Sequence, residues 1–449
     1  VGALQDLSAV TSAVEFALDG SLAAYEHLLV EAGVAQELAS DALVTAGTLP
    51  SGPVSAVDAY GRLVGAMRTA GPDAAVPGAA AGLAAAHEAL RHAAAAGAAA
   101  EGSAEALAGV GVRDAFAPAN FSALLARVPI MGPFLPPEVP AGRRPEEISA
   151  WWAGLSAAAQ AAAIASAPAA VGARNGLPAW ARDRANRSLL GRALEDPHTP
   201  EDEAVRAGVV ARRIAAEEAA GQQVQLHLLD LTGDRVVLAL GDLDSADAVA
   251  LLVPGIGNSP ADDLGRLVAD ARRVGTAART AAPGTAVASV VWLGYRTPGT
   301  VGAAVTRTAA WRGGPALAAS LAGLEAARTA TGGGTVRTTV VAHSYGTLVV
   351  DEAADAPGRL AADAVVLLGS PGMEDDAASL EAPAVFDAAA LADPISWLGW
   401  FGDGEPWEER YGATGLPGSA AMGHSDYFDP RFPTLAAIGD VVAGERTPE

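Results

Sequence analysis

The sequence predicts an α/β fold, a mostly parallel sheet with helices on both faces, preceded by an all-helical segment. Three observations carry that expectation. From about residue 221 onward, short apolar runs rich in valine and leucine alternate with helix-length amphipathic stretches. A hairpin signal opens the alternation, Thr232-Gly233-Asp234 between two strand-like runs. Upstream, Ala, Leu and Val recur at three- and four-residue spacing with only Gly and Pro as punctuation.

Taken in order, residues 1–144 read as an Ala-rich helical bundle. Breaks fall at Pro50–Pro53, Gly71–Pro72 and Pro77–Gly78, and the Pro-rich stretch 128–143 reads as a linker or a tight wrap. Residues 145–220 read as a helical connector packing on the catalytic domain, marked by Trp151, Trp152, Arg182, Asp183, Asn186 and Arg187. Residues 221–449 read as that catalytic domain. Its strands are expected at Val224–Leu231, Arg235–Leu240, Ala248–Val253, Ala286–Leu293, Thr338–Ala342 and Ala364–Leu368, then at Ala384-Val385-Phe386. Its helices are expected around 261–281, 315–330 and 346–356. An antiparallel hairpin followed by strand–helix alternation gives right-handed crossovers and a largely parallel sheet.

Composition narrows the function. The chain has 449 residues, 51% of them apolar, which is ample for buried cores. Its net charge is −23, and no lysine occurs, so every basic side chain but histidine is arginine. Such a charge repels nucleic acid and anionic membrane surfaces, and neither is expected as a partner. The absence of cysteine removes disulfides, thiol nucleophiles and thiolate metal sites. No run is apolar enough to span a bilayer, and with no Met or basic n-region at Val1 any targeting segment is expected to have been removed or never to have been there. A soluble chain is expected, cytoplasmic or exported after processing, its oligomeric state open.

The segment that carries chemistry is Thr338-Thr339-Val340-Val341-Ala342-His343-Ser344-Tyr345-Gly346. A β-branched strand runs into small-x-Ser-x-Gly and then into a helix. Such a turn strains the serine backbone and lifts its hydroxyl above the sheet edge, with Ala342 and Gly346 small enough to avoid clashes. The helix beyond it aims its first amides where negative charge would develop. Ser344 is therefore the expected nucleophile, with Ala342 standing where glycine is usual.

A hydroxyl needs a base, and chain order in such sites is serine, acid, histidine. Of seven histidines only His424 lies beyond Ser344, so elimination selects it. His343, beside the serine, is expected to point away and pack. The acid should end the strand after Ala364–Leu368. Asp393 fits, 49 residues past Ser344 and 31 before His424, with Asp387 and Asp403 as rivals. A second oxyanion donor besides Tyr345 N–H should follow the third strand, where Pro254-Gly255-Ile256-Gly257 makes Ile256 N–H the candidate. No lysine follows that Gly-rich turn, which argues against a phosphate loop. No histidine pair has metal-ligand spacing, so no metal or cofactor is expected.

These residues, together with Val253-Pro254-Gly255, Trp292-Leu293-Gly294-Tyr295, Gly369-Ser370-Pro371-Gly372 and Gly423-His424, resemble a family of actinobacterial α/β-hydrolases formerly catalogued as a domain of unknown function. The resemblance runs from about 145 to the end. It implies the α/β-hydrolase fold, with Ser344, Asp393 and His424 at the positions of the family's serine, acid and histidine. Ala342 departs from the family's elbow, and Arg296-Thr297 stands where an acidic residue is expected. A small-molecule or lipid-like acyl substrate is expected, an ester ahead of a thioester or amide, with Trp397, Trp400 and Tyr295 as pocket candidates. A rival expectation is an interaction or secretion-associated protein, with a partner-binding bundle and a vestigial hydrolase fold. The N-terminal helices are expected to shape the substrate entrance.

Overall fold

A computed structural model of the protein describes residues 137–448, except 335, 391, 398–400 and 402–405. The expected bundle therefore lies almost wholly outside the described residues, as does its suggested role at the entrance. The segment Leu155–Ala167 groups into a compact unit separate from Pro140–Gly154 and Pro168–Glu449. It carries helix α2 (Ala157–Ser166), whose N-terminus is capped by Ser156 Oγ accepting from Ala159 N–H at 3.2 Å. The sheet and the candidate site both belong to the larger unit.

Eight strands form one sheet: β1 (Val224–Asp230), β2 (Arg235–Leu240), β3 (Ala248–Val253), β4 (Val287–Leu293), β5 (Arg337–His343), β6 (Ala364–Leu368), β7 (Val385–Ala388) and β8 (Thr414–Gly415). Their spatial order is β1-β2-β4-β3-β5-β6-β7-β8. β2 runs antiparallel to both β1 and β4, and every later pairing is parallel. The central strands are apolar on both faces, as a doubly covered parallel sheet requires. Alternation then sorts them. Ala250 and Leu252 of β3 join one buried cluster with Val341, Val366 and Leu368. Val249, Leu251 and Val253 join the other with Val340, Ala342 and Leu367.

Before the sheet come α1 (Pro145–Ala153), α3 (Pro168–Gly172), α4 (Ala179–Glu195) and α5 (Glu201–Ala219). α5 begins after Pro200 with Glu201, Asp202 and Glu203 in its first turn, acids placed where the helix dipole favours them. The first face of the sheet is covered by α4, α5, α6 (Leu264–Ala281) and α10 (Pro433–Ala443), which contribute Leu190, Val210, Val268 and Ile438 to its cluster. The short turn α7 (Val301–Ala304) precedes α8 (Thr308–Ala330), and α9 (Gly346–Ala354) comes after β5. α8 and α9 cover the opposite face through Leu317, Leu321, Leu348 and Val349. α10 opens on Pro433 and stops at Gly444, whose φ of +82° ends the helix in the left-handed region.

The polar cluster expected in the connector staples α4 to the edge strand β1. Asp183 Oδ1 accepts from Leu226 N–H at 2.6 Å, Asn186 Nδ2 donates to Leu226 C=O at 2.9 Å, and Arg187 donates to Val224 C=O at 2.9 Å. Side chains thus occupy backbone groups that an open edge would leave exposed. Arg182 lies buried beneath them with no anionic partner among the described residues, donating to Gly172 C=O, Asn175 Oδ1 and His227 Nε2. Burial lowers its pKa to about 9 and drives the neutral form of His227.

Candidate active site

The sheet delivers two loops to one place. β3 and β5 are adjacent and parallel, paired from Ala248↔Arg337 to Val253↔Ala342, so their C-terminal ends emerge side by side. Ser344 comes just after β5 with φ of +57°, one of three non-glycine residues at positive φ among the described residues. That conformation costs on the order of 1–3 kcal/mol and persists only where neighbours enforce it. Here Ser344 N–H donates to Leu368 C=O at 2.8 Å, and its carbonyl accepts from Thr347 Oγ1 at 2.8 Å. Gly346 is required next, because a Cβ there would stand 2.3 Å from Val253 O. Ala342 is accommodated, since its methyl lies fully buried in the apolar cluster beneath α9.

Gly255, after β3, presses against the serine. A Cβ there would come within 2.7 Å of Ser344 Cβ and 3.1 Å of its Oγ. The loop Pro254–Asn258 is tied down from several sides. Tyr295 OH donates to Pro254 C=O at 2.6 Å, Gly257 N–H to Pro298 C=O at 2.8 Å, and Thr297 Oγ1 to Asn258 C=O at 2.8 Å. Asn258 Nδ2 donates to the carbonyls of Gly255 and Ile256 at 3.0 and 3.2 Å, while Arg266 holds its Oδ1. Among the described residues, the N–H groups of Ile256 and Tyr345 find no protein acceptor. Tyr345 itself is anchored through its hydroxyl, which donates to Thr306 C=O at 3.0 Å and accepts from Ala310 N–H at 3.2 Å.

The other half of the site comes from loops beyond β7 and β8. His424 Nδ1 lies 2.9 Å from both carboxylate oxygens of Asp393. Asp393 is fully buried, and three further donors converge on it: Tyr427 OH at 2.6 Å, Ile395 N–H at 2.9 Å and Ser396 Oγ at 3.0 Å. Burial pushes its pKa up, but the hydrogen bonds from His424 and Tyr427 outweigh it and hold the carboxyl at about 2. Gly369 leaves room for this contact, since a Cβ there would sit 2.6 Å from Asp393 Oδ2 and 3.1 Å from His424 Nδ1.

Ser344, His424, Ile256 and Tyr345 line one cavity of about 370 Å³. Its walls are mostly apolar, with Leu267, Phe401 and Phe428, and one corner is charged, with Asp263, Arg266 and Asp270. Ser344 Oγ has no hydrogen-bond partner among the described residues, so the serine and the imidazole share the cavity without a closed bond. Such contacts are often loose before substrate binds.

Two expectations change. Tyr295 is not a pocket wall: it is buried under the Gly255 loop, with its hydroxyl spent on Pro254 and its ring 6.0 Å from that of Trp292. His343 does not merely pack. It lines the same cavity, and its Nε2 stands 2.7 Å from His424 C=O. Of the rival acids, Asp387 lies within β7 with no hydrogen bond to His424, and Asp403 lies outside the described residues. So do Trp400 and the side chain of Trp397. Sequence reasoning missed Tyr427 and Ser396 as partners of Asp393, and only the proximity of Tyr427 to His424 in the chain could have pointed to it. Among the described residues no group of three or more acidic or histidine side chains could hold a metal ion.

Against known proteins, a family model described as "Alpha/beta hydrolase" matches residues 232–401. Together with the strand order, this gives the chain the α/β-hydrolase fold. An uncharacterized protein of Mycobacterium tuberculosis is 32% identical over 299 residues, in two strains alike, covering 58% of this chain and 45% of the relative. The chain thus spans about half the length of the curated relatives it matches. Solved structures with some similarity include a Trichoderma reesei cutinase in complex with a phosphonate inhibitor, with a TM-score of 0.27, 15% identity, and coverage of 58% of this chain and 94% of that one. Another is the esterase LipW from Mycobacterium marinum, with a TM-score of 0.30, 18% identity, and coverage of 54% and 88%. No helix among the described residues is long and apolar enough to cross a membrane.

Proposed function

We propose that this chain is a serine hydrolase that cleaves an ester-like acyl bond through an acyl-enzyme. The observation that carries the reading is the pairing of fully buried Asp393 with His424, which opens onto the same cavity as a serine held at positive φ. Ser344 Oγ adds to the substrate carbonyl while His424 Nε2 takes its proton. Asp393, on Nδ1, fixes the tautomer that leaves Nε2 free to accept, and it stabilises the imidazolium that forms. The carbonyl oxygen becomes negative as the tetrahedral adduct forms, and the N–H groups of Ile256 and Tyr345, unpaired among the described residues, are the donors assigned to it. Collapse of the adduct breaks the bond to the leaving oxygen, which departs with the proton from His424. Water then repeats the sequence on the acyl-serine and releases the acid.

A cavity of about 370 Å³ with apolar walls suits a small or medium acyl group, at the lower end of small-molecule sites. The test is labelling of the full chain by a fluorophosphonate probe, followed by a panel of p-nitrophenyl esters from acetate to long-chain acids. Wild type should label and hydrolyse the shorter esters, and Ser344→Ala should do neither while keeping its melting temperature within a few degrees. A wild-type protein that neither labels nor turns over would favour the vestigial, partner-binding alternative.

A further inference from the structure

Beside the base lies a second imidazole that takes no proton in the acyl transfer. His343 is the last residue of β5, one peptide bond from Ser344. Its Nε2 stands 2.7 Å from the backbone carbonyl oxygen of His424, and the two rings lie 4.7 Å apart. The rings of Tyr427 and Phe428 close around it at 5.7 and 6.2 Å. A carbonyl oxygen only accepts, so His343 carries its proton on Nε2.

His424 stands in an irregular stretch between β8 and α10. The turn that contains it is closed on itself, with Gly423 N–H donating to Asp426 Oδ2 at 2.8 Å and Asp426 N–H to Gly423 C=O at 3.1 Å. Neither bond refers the turn to the nucleophile. The bond from Nδ1 to Asp393 sets how the ring is rolled, and Tyr427 OH ties the same stretch to Asp393 and Ala390, but neither bond reaches β5. We propose that His343 is a positioning residue, whose Nε2–H, donated to His424 C=O, fixes the base's backbone against the strand that carries Ser344. This rests on the reading of Ser344 and His424 as nucleophile and base.

The charged and titratable groups facing His343 are His424, Asp393, Arg266 and the phenol of Tyr427. Burial and the neighbouring His424 bring its pKa down to about 4, against the opposing pulls of its bond to His424 C=O and of Asp393. The ring is therefore neutral when His424 gains a proton in turnover, and it adds no like charge at a ring separation of 4.7 Å.

Two substitutions separate the donor from the ring. His343→Phe keeps an aromatic ring and removes the N–H, whereas His343→Gln returns an N–H at similar reach without the ring. Measured on the full chain with a short p-nitrophenyl ester, His343→Phe should lower kcat roughly 10- to 100-fold with KM changed less than about threefold, the signature of a misplaced base. His343→Gln should recover kcat to within about fivefold of wild type. Wild-type kcat in the Phe variant, or equal losses in both variants, would overturn the inference. A second measurement does not depend on turnover. Long-range proton–nitrogen spectra of the imidazoles at neutral pH should show His343 neutral and protonated on Nε2, and a proton on Nδ1 overturns the assignment whatever the activity. If wild type neither labels with fluorophosphonate nor hydrolyses any ester, the reading of Ser344 fails, while the spectra still decide the bond from His343.

Discussion

Asp387 and Asp393 are six residues apart, both shielded from solvent, and opposite in behaviour. Asp387 sits within β7 and makes no side-chain hydrogen bond among the described residues. Burial alone acts on it and pushes its pKa up to about 7. Asp393 lies just past the strand, where Tyr427, Ser396, Ile395 N–H and His424 all aim donors at it, and its pKa falls to about 2. The contrast shows that depth does not make a carboxylate an anion. Converging donors do, and a loop can gather donors from several directions where a strand, its backbone committed to the ladder, cannot.

The largest effect should come from neutralising Asp393, with Asp387 as its control. Asp393→Asn is expected to lower kcat by about 10³- to 10⁴-fold, because an amide there permits the wrong tautomer of His424. Asp387→Asn should leave kcat within about twofold of wild type, as a residue acting outside the chemistry. Comparable losses in both variants would erase the distinction, and ester kinetics on the two purified proteins decide it.

Stability should separate the pair next, with opposite dependence on pH. Asp387 has a folded pKa raised above the ordinary unfolded value of about 3.9. Its stabilising contribution is present in full below about pH 4 and is lost as pH rises through about 7. Asparagine mimics the protonated acid, so Asp387→Asn should stabilise the protein at pH 8 by up to about 4 kcal/mol and not at all below pH 4. Asp393 has a depressed folded pKa, so its contribution is present above about pH 4 and fades as pH falls toward about 2. Denaturant melts at pH 4, 6 and 8 measure the first effect. A variant no more stable than wild type at pH 8 would show that Asp387 is solvated or partnered in solution.

A smaller loss than that of Asp393→Asn is expected at the donors. Tyr427→Phe removes the 2.6 Å bond to Asp393 and the acceptor for Ala390 N–H. It should raise the pKa of Asp393 and lower kcat by roughly tenfold, the scale of one charge-assisted hydrogen bond. An unchanged kcat would mean that the remaining donors suffice.

The sequence discloses those parts of the site whose interactions are local. The turn at Ser344 is encoded within about ten residues, a β-branched run ending in small-x-Ser-x-Gly, so it can be read directly. Asp393 and His424 can be found because chain order in the fold is fixed and only one histidine lies beyond the serine. Tyr427, Ser396 and His343 are not legible as partners, since their roles exist only once separate loops meet. Tyr295 misleads for the same reason: an aromatic after a strand looks like a pocket wall, and only the fold shows it beneath the Gly255 loop. In α8, Pro315 suggests a helix start, yet the helix runs from Thr308. Tertiary packing of Gly313 against Tyr295 and of Gly314 against Glu352 outweighs the lost hydrogen bond there. The two-residue β8 has no sequence pattern long enough to detect.

The pairing of Val253 with Ala342 has a further consequence for how the molecule would fail when heated. Gly255 and Ser344 each stand two residues beyond that pair, so the distance between them is set by the ladder and by no flexible hinge. A slip of one residue would move the loops apart by about 3.3 Å and turn each side chain to the wrong face. Ser344 and the Gly255 loop therefore have no half-aligned state available to them. In a temperature ramp, that half of the site should be lost together with the central sheet, and any earlier, gradual loss of activity belongs to the loops that carry Asp393 and His424.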